Sequence, residues 1–162
     1  MKSSAALPPL DATDWAILDA LQRDASITNH ALASVVHTSP ATCLRRVRRL
    51  VDAGVIERRV ALLSPEKLGF GVTAFVEVSL DRQGADALAA FETRAIAEPA
   101  VRQCHRVSPG PDFVLCVQLR DMADYHALVQ RLFTEDANVR NVKAYFSVHR
   151  AKDETALPLG EG

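Results

Sequence analysis

Thr38-Ser39-Pro40-Ala41-Thr42-Cys43-Leu44-Arg45-Arg46-Val47-Arg48-Arg49-Leu50-Val51-Asp52-Ala53-Gly54 reads as one short helix with both ends marked. Ser39 is a good N-cap, and Pro40 fits the first helical position, where a missing N–H costs nothing. Gly54 supplies the left-handed residue that stops the helix. Leu44, Val47 and Leu50 or Val51 recur at helical spacing and are expected as a buried stripe. Arg45, Arg46, Arg48 and Arg49 take the remaining faces. Arginine neutralises phosphates and pairs bidentately with guanine edges, so such a helix suits DNA. Taken alone, it would equally suit a solvated basic face.

The preceding residues decide between these readings. A helix is expected from Asp11 to about Arg23, with Leu10, Trp15, Ile17, Leu18 and Leu21 on its apolar face and Asp11 and Asp14 at its positive end. A second helix runs from about Asn29 to Val36 with Thr28 as N-cap, and Ala31, Leu32, Val35 and Val36 point inward. His37-Thr38 is the turn into the arginine-rich helix. Two short helices joined by a tight turn, the second rich in arginine, make a helix-turn-helix. Thr42, Arg45, Arg46 and Arg49 are the candidates for base or phosphate contact, together with Arg48. Thr38 and Ser39 are placed to bond phosphate at the helix N-terminus. Val55 to Leu62 reads as an extended wing whose Arg58-Arg59 tip can reach the DNA backbone.

The charge distribution agrees. The 162-residue chain has a net charge of only −1, yet residues 39–60 hold six arginines against Asp52 and Glu57. A basic element inside an otherwise neutral-to-acidic chain suits a localised DNA surface better than a generally sticky polycation. Apolar residues make up 48% of the chain, enough for real cores, and no run approaches a membrane span. Three widely spaced cysteines, Cys43, Cys104 and Cys116, argue against a disulfide framework or a zinc site, and a reducing cytoplasm is the expected setting.

After a linker at residues 63–70, the apolar period changes. Val72–Leu80 alternates strictly and is expected as a strand. Gly84–Ala97 is a helix with Leu88, Phe91, Ala95 and Ile96 apolar, and Val101–Val107 is a strand. Ser108-Pro109-Gly110-Pro111 is a loop. Phe113–Leu119 is a near-continuous apolar strand and therefore central. Met122–Phe133 is a helix and Val139–Val148 the last strand. The order β-α-β-β-α-β is the ferredoxin-like arrangement, an antiparallel sheet with both helices on one face. The other face, for which Phe75, Glu77, Cys104, Arg106, Tyr145 and Ser147 are candidates, is most economically covered by a second copy. The predicted class is α+β: residues 1–9 a disordered arm, 10–62 a winged helix-turn-helix domain, 71–150 a ferredoxin-like domain, and 151–162 a flexible tail.

Three blocks carry a family resemblance. The first is Leu10-Asp11-Ala12-Thr13-Asp14-Trp15-Ala16-Ile17-Leu18 with Leu21-Gln22-Arg23-Asp24-Ala25-Ser26-Ile27. The second is Ser39 to Leu50, followed by Gly54-Val55-Ile56. The third is Ala61-Leu62-Leu63-Ser64-Pro65-Glu66-Lys67-Leu68-Gly69. From Leu10 to Arg150 the chain resembles the Lrp/AsnC family, the feast/famine regulatory proteins. The resemblance implies a DNA-binding helix-turn-helix and a C-terminal ligand-sensing and oligomerisation (RAM-type) domain. It also implies dimers that commonly assemble into octamers and amino acids or related metabolites as effectors; a dimer placing two recognition helices in successive major grooves is expected to read a near-palindromic site on double-stranded DNA. No cofactor or metal is expected.

In this family the effector pocket lies at subunit interfaces. Carried over by position, it implicates Asp112 of the β2–β3 loop and Met122 at the start of the second helix. Arg106 in the second strand and Tyr145, Phe146 and Ser147 in the last strand complete the set. Asp112 would accept from an ammonium group, and loop N–H groups around Ser108 and Gly110 would bind a carboxylate. The chain departs from the family in three places. The loop glycine is displaced by one, in Ser108-Pro109-Gly110-Pro111-Asp112, and both prolines lack a backbone donor. Arg106 stands where an apolar residue is common; it pairs with Asp112, favours an acidic ligand, or fills the pocket. His37 replaces the usual glycine of the turn, and histidine tolerates the left-handed region better than most residues.

The leading expectation is a metabolite-gated transcriptional regulator and not an enzyme. Two alternatives remain. One is a sirohaem-decarboxylase-like enzyme, which the two-domain arrangement also resembles, with His105, Arg106 and His149 at its centre. The other is an architectural DNA binder without an effector.

Overall fold

The computed structural model describes residues 9–159. The expected N-terminal arm therefore lies outside the described residues except for Pro9. The described residues form two compact units, one of residues 9–62 and 152–159, the other of residues 63–151.

The first unit is built on three helices, α1 (Ala12–Arg23), α2 (Asn29–Val35) and α3 (Pro40–Asp52). Their shared core is Ile17, Leu21, Leu32, Ala33, Val36, Cys43, Val47 and Leu50, flanked by Leu10, Leu18, Ile27, Val55 and Ile56. The buried stripe of α3 is Cys43, Val47 and Leu50, so Leu44 and Val51, expected inside, are exposed. On α2 the inward set is Leu32, Ala33 and Val36, while Ala31 and Val35 face out. Trp15 is half-buried and stands outside this core. Residues 55–64 form no strand, so the wing is an extended segment without a ladder. Leu157, in the stretch expected to be flexible, is held against α1. Gln22 Nε2 donates to the Leu157 carbonyl at 3.0 Å, and the Leu157 N–H donates to Gln22 Oε1 at 2.8 Å.

The second unit opens with a single 3-10 turn, Glu66–Leu68. It then follows the β-α-β-β-α-β order: β1 (Val72–Leu80), α4 (Ala85–Ala97), β2 (Val101–Arg106), β3 (Phe113–Leu119), α5 (Met122–Leu128) and β4 (Val139–Phe146). A π-helical turn, Val129–Thr134, continues α5. The sheet is antiparallel with order β2-β3-β1-β4, so β3 and β1 are central. One face carries Ala74, Val76, Val78, Leu80, Phe113, Leu115, Val117 and Leu119 against Phe91 and Ala95 of α4 and Leu128, Leu132 and Phe133 of the second helical segment. Ile96, on the outer side of α4, is exposed.

Register fixes the other face. Phe75 lies opposite Tyr145 and Glu77 opposite Lys143, and across β3 Val114 and Cys116 share that side. Phe75 and Tyr145 are 45% and 53% exposed, so this face offers aromatic surface to solvent. Cys104 and Arg106 do not belong to it. An irregularity between Val101 and Gln103 lets Val101 and Cys104 share the helix side, with Cys104 opposite Leu115 and Arg106 opposite Phe113.

Candidate nucleic-acid interface and effector region

Local hydrogen bonds set the angle between α2 and α3. Thr28 Oγ1 accepts from the Ala31 N–H at 3.2 Å and begins α2. His37 adopts φ 52°, the left-handed conformation the turn requires. The Thr38 N–H then reaches the Ala33 carbonyl at 2.9 Å. Asn29 Nδ2 donates to the Pro40 carbonyl at 2.9 Å and ties the two helix starts together. Ser39 caps α3, accepting from the Thr42 N–H at 3.2 Å and donating to Thr42 Oγ1 at 2.9 Å. At the far end Gly54, at φ 73°, turns the chain, and the Val55 N–H closes on the Leu50 carbonyl at 2.9 Å.

At 3.6 residues per turn, Ala41, Arg45, Arg48 and Asp52 stand opposite the Cys43–Val47–Leu50 stripe. With Leu44, Arg49 and Ala53 they line an open hollow along the outer side of the helix. Arg45 and Arg48 are exposed, and among the described residues neither has a side-chain partner. Arg58 is exposed on the extended segment. Ser39 is exposed, while Thr38 and Thr42 are half-buried.

Arg46 and Arg49 sit differently. Arg46 Nη1 donates to Asp11 Oδ1 and Oδ2 at 2.8 and 2.7 Å and to Asp14 Oδ1 at 2.9 Å. Arg49 Nη2 pairs with Asp14 Oδ2. Asp14 is fully buried, yet its carboxylate is matched by two guanidinium groups. Asp11 and Asp14 also form a reciprocal capping box, each side chain accepting from the other's N–H. The Asp14 N–H first, and the Arg46 guanidinium second, hold the Asp11 carboxyl below its ordinary value. Arg46, expected among the DNA contacts, is thus committed to α1, and Arg49 partly so. The aspartates were read only as helix-end charges. Their signal was the match between Asp11 and Asp14, three apart on one helix, and Arg46 and Arg49, three apart on the other.

The implicated effector residues scatter over the second unit. Asp112 Oδ2 accepts from the Leu80 N–H at 2.7 Å and from Gln83 Nε2 at 3.3 Å. The Asp112 N–H donates to the Val78 carbonyl at 2.9 Å, so this residue pins its loop to β1. Arg106 does not pair with Asp112. Its Nη2 donates to Glu92 of α4 at 2.6 Å, and its guanidinium lies 5.7 Å from the centre of the Phe113 ring. Beside it, burial and then the Glu92 charge push the Cys104 thiol up. Ser108 and Gly110 are exposed in the loop, Gly110 at φ 123°. Met122 is exposed at the start of α5, and Tyr125 of that helix meets Phe146 edge-on at 4.9 Å. The Ser147 N–H donates to the Thr73 carbonyl at 2.9 Å. Arg106 and Tyr145 occupy opposite edge strands, three spacings or roughly 14 Å apart, and opposite faces. One small ligand cannot touch both within a protomer.

Comparison with known proteins places both units. Residues 10–57 match the model of a winged helix-turn-helix DNA-binding domain, and residues 73–157 match that of the Lrp/AsnC ligand binding domain. The leucine-responsive regulatory protein of Rhizobium meliloti is 40% identical over 150 residues, covering 93% of this chain and 96% of that one. The DNA-binding transcriptional activator DecR of Escherichia coli K12 is 33% identical, covering 93% and 99%. A transcriptional regulator of Neisseria meningitidis, solved in complex with L-methionine, superposes with a TM-score of 0.88 at 34% identity over 93% of this chain and 97% of that one. With a capped, arginine-bearing helix-turn-helix on one unit and an antiparallel ligand-binding sheet on the other, the chain belongs to the Lrp/AsnC family of DNA-binding transcriptional regulators.

Proposed function

We propose that the protein regulates transcription in the cytoplasm as a homodimer whose DNA binding responds to an amino acid. The observation that carries the DNA part is α3, capped at both ends, with Arg45 and Arg48 on its outer side and without side-chain partners among the described residues. Those two side chains and Ser39 meet the duplex, with Thr42 and Arg58 beside them, and two copies place two such helices in successive major grooves. The sheet face bearing Phe75 and Tyr145 is the surface on which a second copy packs.

The effector is an amino acid bound between protomers, a reading supported by the ligand-binding family of the second unit and by the L-methionine held by the Neisseria relative. Since Arg106 and Tyr145 are too far apart to share a ligand within one chain, an interprotomer site draws them from different copies. Thermal shift against the twenty amino acids tests this. A ligand present at 100 times its dissociation constant should add roughly 2.7 kcal/mol. The amino acid that shifts melting should also change affinity for DNA in a fluorescence anisotropy titration. No shift from any of the twenty would leave the architectural reading in its place.

A further inference from the structure

We propose that Asp14, supported by Asp11, is a positioning residue that sets how many arginines α3 presents to DNA. The proposal rests on α3 being the DNA-contacting helix. Four arginines lie within five residues, and each phosphate they neutralise adds to binding that ignores sequence. Two of the four are drawn toward α1. Arg46 Nη1 is shared by three carboxylate oxygens at 2.7–2.9 Å. Its Nε is buried without a partner among the described residues, so Nη1 and Nε are withheld from a phosphate and the side chain is only 24% exposed. Arg49 is 42% exposed and turns its Nη2 to the buried Asp14 carboxylate. Both carboxylates sit where phosphate oxygens would otherwise compete for the same guanidinium groups, and charge-assisted pairing of this kind is strong. Arg45 and Arg48 stand on the outer side of the helix without such pairing among the described residues, and Arg49 borders the same hollow while its Nη2 is held by Asp14. The cluster restrains the sequence-independent part of the affinity and leaves base reading to the exposed pair.

The test uses the full-length protein and a duplex of random sequence, with affinity followed across sodium chloride concentrations. The slope of log affinity against log salt counts phosphate contacts at about 0.9 per contact. Asp14→Asn leaves Arg46 on Asp11 and releases Arg49, so the slope should steepen by about 0.9 per bound protomer. Arg46→Met and Arg49→Met should leave the slope unchanged, whereas Arg45→Met should flatten it by about the same amount. A merely structural role for Asp14 would lower stability without moving the slope. An unchanged slope in Asp14→Asn, or a flattening by Arg46→Met equal to that of Arg45→Met, overturns the proposal. If Asp14→Asn does not fold, Arg49→Met decides, since it keeps the Asp14–Arg46 pair. A wild-type protein without salt-dependent duplex binding would instead overturn the DNA role of α3 itself.

Discussion

Asp14 on α1 is completely buried and accepts from Arg46 Nη1 on α3 at 2.9 Å, so the arginine-rich helix is fastened to the rest of its unit through charge. The same carboxylate also holds Arg49. Removing one partner of a buried pair leaves the other without compensation, at a typical cost of 3–5 kcal/mol. Both arginines retain solvent access, which eases that penalty. Asp14→Ala should therefore destabilise the first unit by about 3 kcal/mol. Trp15, the only tryptophan in the chain, is the next residue in sequence and reports on the first unit. Urea unfolding followed by its fluorescence should show the loss, and an unchanged midpoint would refute the structural weight placed on Asp14.

Acid should loosen the same end of α1. The carboxyl of Asp11 is held below its ordinary value of 3.8, mainly by the Asp14 N–H and then by Arg46. A depressed carboxylate favours the folded state above its unfolded value, and this contribution fades as pH falls through the folded one. The effect is therefore present at neutral pH and disappears in the acid region below about pH 4. Carboxyl NMR should find Asp11 titrating below 3.8, and Arg46→Gln should move it upward. A titration at or above 3.8 in the wild type would contradict the contact.

Much of this fold was legible because its signals are local. Strict alternation gave the bounds of β1, and a near-continuous apolar run gave those of β3 and its central place. The caps at Ser39 and Gly54 were readable because each needs a particular residue type. What failed depended on partners. On α3, the stripes through Leu44 and Val51 or through Cys43 and Leu50 are equally apolar, and it is α1 and α2 that select the second. On β2, a period of two assumes a regular ladder, and the irregularity after Val101 turned Cys104 and Arg106 toward the helices. The helix side suits Arg106 because its guanidinium lies over the Phe113 ring and donates to Glu92 while the side chain stays partly exposed. The DNA candidates divided for a similar reason. Arginine type and spacing are local, but engagement by Asp11 and Asp14 is a tertiary fact.

Asp112 should behave as a loop anchor before any ligand is considered. Its carboxylate satisfies the Leu80 N–H at 2.7 Å, and replacing it leaves that donor unpaired. Asp112→Ala should cost the second unit about 1–3 kcal/mol in the absence of ligand, visible as a lowered melting temperature. Asp112→Asn keeps an acceptor and should recover much of the loss. If Asp112→Ala melted like the wild type and lost only effector binding, Asp112 would belong to the ligand site alone.

Phe75 and Tyr145 offer the clearest handle on assembly. They face each other across β1 and β4 on the side of the sheet away from α4 and α5, at 45% and 53% exposure. Val114 and Cys116 extend the surface across β3, and Glu77 and Lys143 lie opposite one another beside it. A second copy packed there would cover both rings, and aromatic residues at the centre of an interface carry a large share of its energy. Phe75→Glu would place a charge in the covered layer while leaving the α4–α5 core untouched. The variant should therefore keep its circular dichroism spectrum but run as a monomer in size-exclusion chromatography with light scattering. DNA affinity should fall at the same time, because two helices held together bind as one ligand and a lone helix does not. Ile96→Glu, a comparable change on the exposed side of α4, separates a specific interface from a general effect of added charge. Phe75→Glu should dissociate the dimer while Ile96→Glu preserves it, and the opposite result would move the dimer contact from the sheet to the helices.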